Sequence, residues 1–123
     1  VKPRDETLAA VVDLIRRTPF VEGSDEMRLA ELKAASSPRS HTTVAARWLQ
    51  ALALQDSRPL GDPETRIRLS LDDADDGQLP PMDELLNELT LTLERPGATA
   101  ETLASILADI AAASILAGAE VDR

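Results

Sequence analysis

Residues 65–71 read TRIRLSL, with Ile67, Leu69 and Leu71 on one side and Arg66, Arg68 and Ser70 on the other. Strict apolar and polar alternation is the signature of a half-buried strand, so this segment is read as the one β-strand or hairpin element of the chain. It is bounded before by RPLGDPE, residues 58–64, which is dense in turn formers, and after by the acidic stretch DDADDG at 72–77.

Everything else is periodic in the helical sense. Residues 5–17 carry Leu8, Val11, Val12 and Ile15 on one stripe, with Arg16 and Arg17 in the last turn and Pro19 beyond. A second helix is expected over 25–35, with Ser24 as N-cap and Met27, Leu29 and Leu32 facing inward. SSPRSH at 36–41 reads as a loop, because the residue before Pro38 is pushed out of helical geometry. A third helix then begins near Thr42 and places Val44, Ala45, Trp48, Leu49 and Leu52 on one face, Thr43, Arg47 and Gln50 on the other.

After Pro80 and Pro81, residues 82–94 form a stripe of Met82, Leu85, Leu86, Leu89 and Leu93. Leu89 to Leu93 also alternates, as LTLTL, but the helical stripe covers the whole segment and is preferred. Thr99 caps a final helix to about Gly118. Its bulk is distributed around the axis, and a helix apolar on nearly all sides is either central or half of a subunit interface.

The expected fold is therefore mainly α: a five-helix single domain over 1–123 with one short β-strand or hairpin, in a winged-helix-like arrangement. Residues 1–58 form a three-helix half with a helix-turn-helix, 59–79 the turn, strand and acidic loop, and 80–123 a C-terminal helical hairpin. Leu103, Ile106, Leu107, Ile110 and Ile115 are the expected homodimer interface.

Charge points to function. The chain carries −9 overall, yet the 24 residues from Leu32 to Gln55 hold no Asp or Glu. Residues 1–68 contain eleven Lys or Arg against ten acids, net +1; residues 69–123 contain two against twelve, net −10. The two halves are suited to different partners. A short helix, a break and a helix headed by hydroxyl residues have the outline of a helix-turn-helix, with Arg39, Thr42, Thr43, Arg47 and Gln50 directed at double-stranded DNA. In that reading Arg66 and Arg68 touch the backbone from the wing. Two features disagree with the motif: the break from Ser36 to His41 is six residues long, and it lacks glycine. The competing reading is an acidic protein-interaction module that docks a basic surface.

Enzyme chemistry finds no support. There is no Cys, one His at 41 and no glycine-rich phosphate loop. DDADDGQLPPMD matches a calcium loop at Asp72, Asp76, Gly77 and Asp83 but has Ala74 where a third ligand belongs. Glu84, Glu88, Glu101 and Asp109 lack the paired spacing of a magnesium site on facing helices. The chain is expected to be non-enzymatic and to use no cofactor or metal. With only Phe20 and Trp48 as aromatic residues, stacking on single strands is excluded. No leader is apparent, and the apolar run at 103–119 is short and Ala-rich for a bilayer. Cytoplasm is the expected location.

Overall fold

The computed structural model describes residues 3–17, 23–55, 63–97 and 99–121. Six helices follow one another: α1 (Pro3–Arg17), α2 (Asp25–Ala34), α3 (Pro38–Gln55), α4 (Pro63–Asp75), α5 (Met82–Glu94) and α6 (Ala100–Val121). No strand occurs among the described residues, so the five-helix, winged arrangement is corrected to an all-α bundle of six helices. The stop at Pro19, the side chain of Ile15 and the turn at 59–62 lie outside the described residues.

Residues 65–71 belong to α4. Their alternation is real in the sequence, but the buried set is Ile67, Ser70 and Leu71, spaced three and four apart, while Leu69 is 60% exposed. That is helical periodicity with a serine at one inward position. Glu64 and Arg68, one turn apart, pair at 2.9 Å and reinforce the helix. Most of the acidic stretch is the last turn of α4, not a loop. Gly77, at φ +73°, donates its N–H to the carbonyl of Ala74, and Gln78 donates to that of Asp73. This is a Schellman cap, and it requires the left-handed conformation that glycine adopts without strain.

Helix α3 begins four residues earlier than expected. The N–H of Ser40 donates to Ser37 Oγ at 3.1 Å, so Ser37 is the N-cap and Pro38 occupies the first helical position. Proline is favoured there because its missing N–H has no intrahelical partner to lose. Residues 89–93 are helical, within α5.

Helix α6 is the centre, packed by α1, α3, α4 and α5. Ala104, Ala108, Ala111 and Ala112 are buried, and their short side chains let neighbouring helices approach closely. A Cβ built on Gly118 would meet Pro38 at 3.6 Å, so the first turn of α3 meets the last turns of α6. α2 lies outside this arrangement and packs on α3 and α5. Its Leu32 is fully buried and joins the main core.

The one charged residue of α6 between Thr102 and Gly118 is Asp109, half-buried, whose Oδ1 accepts a 2.8 Å bond from Ser70 Oγ of α4. Burial raises its carboxyl above the usual 3.8; the Ser70 bond opposes this, and the nearby charges of Asp73 and Glu88 add to the rise. A carboxyl raised on folding destabilises the fold when ionised. That cost is present above the raised value and disappears as pH falls through it toward 3.8. Asp109→Asn keeps the acceptor for Ser70 and removes the charge. Its melting temperature should exceed that of the parent at pH 7.5, with the difference closing toward pH 4 in thermal melts followed by circular dichroism.

Candidate anion-binding groove between α2 and α3

The stripe Arg39, Ser40, Thr43 and Arg47 climbs the outer side of α3, while Thr42, Ala45, Ala46, Trp48, Leu49 and Leu52 are buried on the inner side. Positions 39, 43 and 47 are spaced at four, so they share one face, and two turns of helix separate the arginines by roughly 12 Å along the axis. Facing them is the C-terminal end of α2. Glu31, Ala34 and Ala35 join Arg39, Ser40, Thr43, Val44 and Arg47 around an open groove of about 450 Å³. The connection between the helices is three residues, Ala35 to Ser37, shorter than the six-residue break expected.

The hydroxyls differ in what they have left to offer. Thr43 Oγ1 donates to the carbonyl of Arg39 at 3.0 Å, so its proton is committed to its own helix. Thr42 Oγ1 donates to the carbonyl of Pro38 at 2.8 Å, and its side chain is buried, away from the groove. Ser40 Oγ instead accepts from Ser37 Oγ at 2.9 Å, which leaves its own proton for a ligand oxygen.

The arginines divide similarly. Arg66 Nη2 lies 2.8 and 2.7 Å from the two carboxylate oxygens of Glu101, at the N-terminal end of α6. Arg68 binds Glu64 at 2.9 Å, and Arg17 binds Asp13 at 3.0 Å. Arg39 and Arg47 are exposed and have no carboxylate partner among the described residues, although Glu31 borders the same groove. Of the residues expected at DNA, Arg39, Thr43 and Arg47 therefore come together. Gln50 is half-buried and already engaged, Thr42 faces inward, and Arg66 and Arg68 sit on α4 in ion pairs. Glu31 and the Ser37 cap were not expected at the site. The Ser-Pro pair at 37–38 is the sequence signal that gives the start of α3.

Leu103, Ile106, Leu107, Ile110 and Ile115 are each 5% exposed or less. The face expected to hold a second copy is filled by the chain's own helices. By length and apolarity α6 also meets the requirement for a membrane span over Ala100–Gly118, and 56% of that window is buried within the bundle. Among the described residues no three His, Asp or Glu side chains are placed to hold a metal, and Asp72 lies within a helix where a calcium loop would need it extended.

The groove depends on where α2 is held. Trp48 Nε1 of α3 donates to Asp25 Oδ1, in the first turn of α2, at 3.2 Å. With Trp48 1% exposed, this bond both satisfies a buried donor and holds the N-terminal end of α2, the end opposite the groove, against α3. Comparison with protein-family models, with curated proteins and with solved structures finds no match in any of the three.

Asp25→Ala strands the indole N–H and should cost about 1–2 kcal/mol in urea denaturation. Asp25→Asn, which keeps an acceptor, should recover most of that. Trp48 is the only tryptophan, so its emission reports the loss directly, and an unchanged spectrum in the alanine variant would contradict the bond.

Proposed function

We propose that the protein is a small, non-enzymatic DNA-binding regulator that presents α3 to duplex DNA, with the cytoplasm as its place of action. The observation that carries this reading is the pairing pattern of the arginines. Arg17, Arg66 and Arg68 are tied to carboxylates within 3.0 Å, whereas Arg39 and Arg47 have no carboxylate partner among the described residues and line one open groove together with the Ser40 hydroxyl. Unpaired guanidiniums beside a hydroxyl donor suit phosphate oxygens, which they bind with charge-assisted bonds. The three-residue connection between α2 and α3 supports the same reading. The net charge of −10 over residues 69–123 disfavours docking of a polyanion through α5 and the end of α4.

A second reading, an acidic module docking a basic protein, draws on α4. Asp72, Asp73, Asp75 and Asp76 are exposed at its C-terminal end, where the helix dipole disfavours negative charge. Reversing all four to Lys separates the two. Duplex binding through α3 is retained or strengthened, while binding of a basic protein partner through α4 is lost.

The direct test is fluorescence anisotropy with a labelled 20-base-pair duplex across a salt series. Two arginine contacts give a slope of log affinity against log salt of about −2. Arg47→Ala should weaken binding about five- to tenfold and reduce the slope by about one. Arg66→Ala should leave both unchanged. Absence of duplex binding at low salt would refute the reading.

A further inference from the structure

We propose that Glu31 is the specificity-determining residue of the α2–α3 groove: it turns away bare polyanions and accepts an amino proton from a base edge. This rests on the reading of the groove as a DNA site.

Glu31 is exposed on α2 and borders the groove together with Arg39 and Arg47. Its carboxylate has no side-chain partner among the described residues, and neither arginine closes on it. By contrast Arg68 with Glu64, Arg17 with Asp13 and Arg66 with Glu101 all lie within 3.0 Å. Three charges of two signs thus share one opening with their hydrogen-bonding capacity unspent. The apolar residues that line the groove beside them, Ala34, Ala35 and Val44, are small and add little bulk to cover the charges.

Such an arrangement has a definite preference. A ligand that offers only anionic oxygens gains at Arg39 and Arg47 and loses at Glu31. A ligand that brings a hydrogen-bond donor beside its phosphates gains at all three. In the major groove, cytosine N4 and adenine N6 are such donors, and carboxylates accept from the former. Specificity is a difference of affinities, and a carboxylate that penalises the backbone alone widens that difference.

The test compares the parent chain, Glu31→Gln and Glu26→Gln by fluorescence anisotropy on three probes: heparin, a random-sequence 20-base-pair duplex, and a duplex enriched from a random pool by the parent chain. Glu26 is exposed on the same helix but does not border the groove, so it controls for net charge. Glu31→Gln should bind heparin and the random duplex about three- to tenfold more tightly than the parent. Its ratio of enriched to random affinity should fall, and Glu26→Gln should behave as the parent.

If the parent binds duplex and Glu31→Gln binds all three probes as Glu26→Gln does, the role of Glu31 is overturned and the DNA reading stands. If no form binds duplex, the DNA reading falls and the base-edge role falls with it, whatever happens on heparin.

Discussion

A helix of 22 residues whose only charge between Thr102 and Gly118 is Asp109 has to be enclosed, and the bundle is arranged around that requirement. α1, α3, α4 and α5 each lay their apolar face on α6. Leu103, Ile106, Leu107, Ile110 and Ile115 together contribute on the order of 10 kcal/mol of gross apolar burial. The single carboxylate is accommodated at the edge of this core by Ser70 of α4, so even the exception binds a neighbour. Because four helices are committed to α6, α2 remains at the periphery, held by Leu32 and by the bond from Trp48 to Asp25.

That division of labour has a consequence for α3. Its inner face is consumed by the core, and its outer face borders a groove shared, among the described residues, with the end of α2. The acid-free stretch Leu32–Gln55 therefore contains two kinds of position. At Ala45, Trp48, Leu49 and Leu52 acids are absent because the positions are buried; at Arg39, Ser40 and Arg47 they are absent from solvent-facing sites. Only the second kind bears on a partner. The acidic half of the chain lies elsewhere, on the end of α4 and on α5, where Asp83, Glu84 and Glu88 are exposed.

Much of this was legible in the sequence. The stripes of α1 and α5 and the all-round apolar character of α6 follow from residue spacing alone. The strand reading of residues 65–71 failed for a local reason and a distant one. Ser70 looked like a solvent-facing position, and the group that satisfies it inside, Asp109, is 39 residues away. α3 was shortened because Pro38 was read as a breaker, although Ser37 before it supplies the cap that lets proline start a helix. At the site, Arg47 was readable from the polar face of the third helix, whereas Arg39 was assigned to the loop before it and joins the same face only because α3 starts at Pro38. Thr42 lies three residues before Ala45 and seven before Leu49, so helical spacing already places it on the buried face, away from Thr43. Glu31 belongs to another helix, and no local pattern brings it to the groove. Whether the apolar residues of α6 face their own chain or a second copy is likewise decided by tertiary packing, which here uses them internally.

The claim on which the account turns is that the outer face of α3, with the end of α2, is where this protein meets its partner. Titration of the isotopically labelled chain with a short duplex, followed by amide chemical shifts, examines it residue by residue. Shifts are expected at Glu31 to Ala35 and along Arg39 to Arg47, with Arg66, Arg68 and the α4 cap at Gly77 unmoved. Shifts centred on α4 and α5, or none at any residue under low salt, would contradict it.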